Sequence, residues 1–108
     1  MKIWVDDIRP APEGWCQAYS VNAAKEMILA NWGNIEGISI DHDSGDYNCF
    51  GGDYINILKW LEEEEYKANK KIVTFPINIH SMNTVGVQNM RNIIQHNNWK
   101  EVSFWDLI

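Results

Sequence analysis

Three short apolar runs in this chain each end in acid or imidazole, and that limits the fold more than any other feature. Ile38–Ser39–Ile40 runs into Asp41–His42–Asp43 before Ser44–Gly45 breaks it. Lys2–Val5 runs into Asp6–Asp7, and Ile77–Ile79 into His80–Ser81. A buried strand that ends in charge is leaving its sheet, and in open α/β sheets ligands bind outside the carboxyl ends of the strands. Three such ends predict one polar cluster on one rim.

The segments between these runs read as helices and loops. Arg9-Pro10-Ala11-Pro12-Glu13-Gly14 holds two prolines and a glycine and cannot be helical, so it is a loop. Trp15–Tyr19 is a second short strand. Ser20 or Asn22 then caps a helix reaching about Asn31, with Ala24, Met27 and Ile28 inward and Gly33 ending it. Gly37–Asp41 is followed by a polar, glycine-rich loop from Ser44 to Gly52. Asp53 is placed to cap a helix over Tyr54–Tyr66, whose Tyr54, Ile57, Leu58 and Leu61 share a face. Pro76 divides Ile72–Phe75 from Ile77–Ile79 and leaves only the second as an interior strand. Asn83 or Thr84 caps a helix to about His96, with Val87, Met90, Ile93 and Ile94 inward, and Val102–Trp105 is a last strand.

Strands alternating with helices imply a parallel sheet covered on both faces. About five strands and three helices fit a flavodoxin-like, three-layer α/β sandwich in which a proline-rich loop replaces the first crossover helix. At 108 residues the chain is expected to be one domain, residues 1–108.

Composition removes several function classes. A formal net charge of −6 argues against a broad basic surface for long duplex nucleic acid. Glu62–Glu65, followed by Lys67, Lys70 and Lys71, reads as a solvated helix face. Cys16 and Cys49 have neither Cys-x-x-Cys nor metal-ligand spacing, and are expected to be free thiols in a reducing cytoplasm. No apolar run is long enough to cross a membrane, and no basic-then-apolar leader is visible.

The candidate chemistry lies at the strand ends. Asp6, Asp7 and Asp41 held close repel one another unless a cation joins them. A hard divalent ion suits that set, because Mg²⁺ takes one or two carboxylates and completes its shell with water and phosphate oxygens. Asp43 is a fourth candidate ligand. The alternative is that Asp6 caps a turn and Asp7 is solvated. His42 and His80 are candidate acid–base groups near neutral pH, or hydrogen-bonded structural residues. As ligands they would widen the metal choice to Mn²⁺ or Zn²⁺. Ser81 and Asn83 precede a helix whose first N–H groups favour anions, although Asn83 is equally a plain cap. Arg9 can bind phosphate bidentately or bridge to a carboxylate. Gly45, Gly51 and Gly52 match no phosphate-loop spacing. Trp15 and Tyr47 are candidates to stack on a base.

Asp6–Asp7, Asp41 and Ser81 resemble the acidic pocket of response-regulator receiver domains, which holds Mg²⁺ and accepts a phosphoryl group at the position of Asp41. Receivers also carry a lysine at the end of the last strand. Here Val102–Trp105 is followed by Asp106, and Lys100 lies at the wrong end. The departures are similar to those of cyclic-phosphate processing receiver-like domains. Asp6-Asp7-Ile8-Arg9-Pro10 matches Asp-Asp-x-Arg-x-Pro with the proline one place early. Asp41-His42-Asp43-Ser44-Gly45 matches Asp-His-Asp-x-Gly, and Ile79-His80-Ser81-Met82-Asn83 matches Ile-His-Ser-x-Asn. Small free-standing members of that family occur in bacteriophages.

The resemblance implies a metal-dependent phosphodiesterase-like hydrolase acting on a cyclic phosphate at an RNA end or in a cyclic nucleotide. Asp6, Asp7, Asp41 and Asp43 would hold Mg²⁺ or Mn²⁺. Asp41, His42 and His80 would be catalytic, while Arg9, Ser81 and Asn83 bind the phosphate. The alternatives are a module that sequesters a nucleotide without cleaving it, and a divergent phosphoacceptor receiver.

Overall fold

The computed structural model describes residues 1–108. Four parallel strands, β1 (Lys2–Val5), β2 (Cys16–Ala18), β3 (Gly37–Ile40) and β4 (Ile77–Ile79), lie in the order β2-β1-β3-β4. Helices α1 (Val21–Ala30), α2 (Ile55–Ala68) and α3 (Thr84–His96) follow β2, β3 and β4. Every crossover that keeps its helix moves the same way along the sheet. Right-handed connection therefore puts all three helices on one face. Only the β1–β2 step moves the other way, and the proline-rich loop replaces its helix. The second face is covered instead by that loop and the C-terminal segment: Phe104 packs on Trp4 and Trp15, and Leu107 lies over Gly37.

Strand register sorts the side chains into rows. Cys16–Ile3–Ile38–Ile77 and Ala18–Val5–Ile40–Ile79 face the helices, where the isoleucines, Val5 and Ala18 join Ala24, Ile28, Tyr54, Ile57, Leu58, Leu61, Met90 and Ile94 in one apolar core. The intervening row, Gln17–Trp4–Ser39–Asn78, faces the other way and is largely polar. Because side chains alternate along a strand, Asp6, Asp41 and His80 continue that polar face. Their backbones extend the ladder, with N–H bonds from Asp6 to Ala18, Asp41 to Val5 and His80 to Ile40. This is why carboxylates and imidazole meet.

The sheet has four strands rather than about five. In place of a strand over Val102–Trp105 there is one bridge, between Ile77 and Glu101. The Asn78 side chain takes the Val102 carbonyl at 3.0 Å, and Ser103 with Asp106 forms a capping box that turns the chain into a 3₁₀ helix over Phe104–Asp106. Side chains also displace the expected Asp53 cap and hold Ile72–Phe75, which Pro76 had left outside the sheet interior. Asp53 caps no helix: its carboxylate accepts from Ser44 and Asn48, and α2 begins after Tyr54 with no side-chain cap. Ile72–Phe75 forms no strand, because Glu65 accepts the Ile72 and Val73 N–H groups at 2.9 Å and the Trp99 indole N–H at 3.0 Å. Glu65 is thus a structural carboxylate rather than part of a solvated face, and Glu62 accepts from Asn97. The glycine-rich loop contains a 3₁₀ helix over Gly45–Phe50. Both cysteines are free, and no helix is long and apolar enough to cross a membrane.

Candidate active site at the carboxyl edge of the sheet

A buried hydrogen-bond chain runs beneath the strand ends. The Asn78 side-chain N–H donates to Val102, so its oxygen faces Ser39, whose hydroxyl donates to it at 2.6 Å. The Ser39 oxygen is then left to accept, and His80 Nδ1, 2.7 Å away, carries a proton to give. His80 Nε2 lies 2.9 Å from Asp6 Oδ2, while Asp6 Oδ1 accepts the N–H groups of Ile8 and Arg9. Burial alone would raise Asp6, but those two N–H groups and His80 outweigh it and hold the carboxyl below its usual range. Burial outweighs the Asp6 bond and holds the His80 imidazole below its usual range. With Nδ1–H given to Ser39, the 2.9 Å contact at Nε2 still needs a proton, so that proton is shared with the Asp6 carboxylate rather than owned by the ring. The ring stacks on Trp4 at 3.8 Å, nearly parallel, an arrangement that favours a cationic imidazole.

Asp7 and Asp41 stand above this pair. Asp6, Asp7 and Asp41 each offer a ligand atom within 4.8 Å of the others. Their donor set, three carboxylates and no other ligand type, suits a hard cation. Room for it depends on Gly45, which has φ +54° and whose missing Cβ would collide with Asp7 Oδ2. Burial, then the charges of Asp6, Asp41 and Asp46, push Asp7 up from its ordinary value of 3.8. An acid with a raised folded pKa favours the fold fully below pH 3.8, and that contribution is lost as pH rises through the folded value. At neutral pH, Asp7 therefore weakens the cation-free fold. Asp7→Asn is expected to raise the thermal midpoint at pH 7 in chelator. The gain should shrink on acidification below pH 4, and the variant's response to Mg²⁺ should be smaller than that of the unsubstituted protein. A lowered midpoint in chelator would contradict this electrostatic account.

The cleft above the carboxylates has a volume of about 230 Å³ and is lined by Asp7, Ile8, Arg9, Asp41, Asp43, Gly45, Ser81, Met82 and Asn83. Arg9 forms no ion pair with any carboxylate. Its Nη1 donates to the His80 carbonyl at 2.8 Å, which holds the guanidinium across the cleft. Ser81 Oγ accepts the Asn83 N–H, and Asn83 Oδ1 caps α3 through the Gly86 N–H, leaving the Asn83 amide N–H₂ toward Asp43 at 3.4 Å. Asn83 is thus both cap and cleft wall.

Six of the nine residues singled out from the sequence, Asp7, Arg9, Asp41, Asp43, Ser81 and Asn83, line one cleft. The other three do not. Asp6 is 1% exposed, and His80 spends both nitrogens inside the protein rather than on the cleft. His42 packs on Gly86, where a Cβ would strike the ring, and its Nδ1 meets Asp43 at 2.7 Å. Asp43 falls in a separate group with His42 and Asp53, apart from the three-carboxylate cluster.

Sequence reasoning passed over Ser39, Asn78, Trp4 and Gly45. A signal for the first two was present: Ile38-Ser39-Ile40 and Ile77-Asn78-Ile79 each place one polar residue at the centre of an apolar strand.

The cyclic-phosphate processing receiver domain family matches residues 1–96 of the sequence. The chain belongs to that family. No curated protein and no solved structure matches it. In this receiver domain the lysine of ordinary receivers has no counterpart near Asp41. Lys100 lies level with Ile77, at the opposite end of β4 from His80.

Proposed function

We propose that this domain binds a cyclic phosphate in the cleft and opens it by hydrolysis with the help of a divalent cation. The observation that carries the reading is the juxtaposition of three carboxylates within 4.8 Å with a guanidinium that no carboxylate claims. Asp6, Asp7 and Asp41 would hold the cation, Mg²⁺ or Mn²⁺, with Asp43 at the edge of the same cleft. Bound there, it supplies charge neutralisation and Lewis-acid polarisation of the phosphoryl group.

The protein's own groups do the rest. Arg9, Ser81 and the Asn83 amide donate to phosphoryl oxygens as negative charge builds on them. His42 is the imidazole with an uncommitted nitrogen, Nε2, since Asp43 fixes Nδ1. Its partner Asp43, which does line the cleft, takes the proton of the attacking water, shares it with His42 across their 2.7 Å contact, and returns it to the ester oxygen that leaves. One P–O bond forms, one breaks, and the product is a phosphate monoester. His80 acts as a positioning residue, holding Asp6 in place.

A second reading has its own support. No imidazole lines the cleft, which favours a module that binds a nucleotide without cleaving it. Incubation with 2′,3′- and 3′,5′-cyclic nucleotides in Mg²⁺, Mn²⁺ or Zn²⁺ separates the two. Monoester product accumulating over many turnovers supports the hydrolase. Stoichiometric recovery of intact ligand supports the binder, and no binding at all removes both. A stable mass adduct on Asp41 after acetyl phosphate treatment would instead point to phosphoacceptor behaviour.

A further inference from the structure

Two of the three most exposed large apolar side chains in the protein stand at the cleft. Ile8 and Met82 are each 83% exposed, only Tyr66 is more so at 86%, and Ile8 and Met82 both line the cleft. They sit on different loops, after β1 and after β4, that the Arg9–His80 bond ties together. Single exposed hydrophobes are ordinary, but a pair at the mouth of a polar cleft forms a rim that an apolar part of a ligand would cover.

The charge balance restricts what that ligand can be. Arg9 is the only basic residue lining the cleft, beside Asp7, Asp41 and Asp43, and Asp46 lies exposed next to Gly45. With a net charge of −6, nothing around the rim neutralises a second phosphate, let alone a run of them. A volume of about 230 Å³ is small even for a nucleotide, so the floor takes a phosphate with its sugar and the rest of the ligand emerges at the mouth. We propose that the ligand is a free cyclic mononucleotide rather than the end of an RNA chain, with its base held between Ile8 and Met82. This rests on the phosphate-binding role proposed for the cleft.

Calorimetry in Mg²⁺ with three probes tests both layers: inorganic phosphate, a 2′,3′-cyclic mononucleotide, and an RNA of about eight nucleotides ending in a 2′,3′-cyclic phosphate. The mononucleotide is expected to bind roughly tenfold tighter than phosphate, and the RNA more weakly than the mononucleotide. Ile8→Ser with Met82→Ser should close the gap between mononucleotide and phosphate, while phosphate affinity and thermal midpoint stay unchanged. Either single substitution should close part of it. A gap that survives the double substitution, or tighter binding of the RNA, overturns the inference and leaves the phosphate cleft standing. Failure of all three probes to bind removes the cleft assignment and this inference together.

Discussion

Asp41→Ala is expected to lower turnover of a cyclic phosphate by about a thousandfold or more, equivalent to roughly 4 kcal/mol in the barrier, with the fold intact. Asp41 enters the ladder through its backbone N–H to Val5, which alanine keeps. Its side chain makes one internal bond, Oδ1 accepting the His42 N–H. Losing that bond costs stability, and losing one of three mutually repelling carboxylates offsets part of the cost. Under the proposed function, what disappears is the third oxygen ligand of the cluster and with it affinity for the cation. The check has two arms. In the unsubstituted protein, a cation at a hundred times its dissociation constant adds about 2.7 kcal/mol to stability, several degrees in midpoint for a domain of this size. In Asp41→Ala both that thermal gain and product formation should vanish, while circular dichroism is unchanged. Turnover at the original rate would remove the mechanism. Loss of the thermal gain in a protein that never turned over substrate would instead leave the binding module.

Why the sequence revealed some of this and not the rest has a physical answer. The site was legible where strand periodicity governs. Asp6, Asp41 and His80 each lie one step beyond an apolar strand residue, so parallel pairing alone brings them to one edge. The same parity puts Ser39 and Asn78 beneath them. It was less legible where a side chain displaces the backbone. Val102–Trp105 has strand composition, yet the Asn78 amide takes the Val102 carbonyl and Asp106 starts a helical turn. Ile72 and Val73 give their N–H groups to Glu65, 7 and 8 residues back across the end of α2, a return that no local pattern announces. Asp53 has the residue type and position of a cap and instead ties Ser44 to Asn48. Long-range side-chain-to-backbone bonds have no period, and these are the places where a reading by period departs from the structure.

His80→Ala is expected to cost about 3 kcal/mol of stability, the upper end of the range for a buried acceptor left without its donor. Asp6 is 1% exposed, and without the imidazole its Oδ2 faces neither a donor nor water. Ser39 loses the group that donates to its oxygen, and Trp4 loses the ring stacked on it. The pH dependence carries the sign. Asp6 has a folded pKa below its ordinary 3.8, so its contribution is present above that value and is lost as pH falls through the folded one. His80 itself, lowered from 6.5, adds the same sign, because the unfolded imidazole takes its proton first, so the gap between the unsubstituted protein and His80→Ala should be widest at neutrality, begin to narrow below pH 6.5 and narrow further below pH 4. Asp6→Asn removes the charge that His80→Ala strands. In a double-mutant cycle the combined variant should thus be less destabilised than the two single losses added together, by about 2 kcal/mol. Strict additivity would mean that Asp6 and His80 do not share a proton, and the relay from Val102 through Asn78 and Ser39 would lose its role in fixing the acidic site.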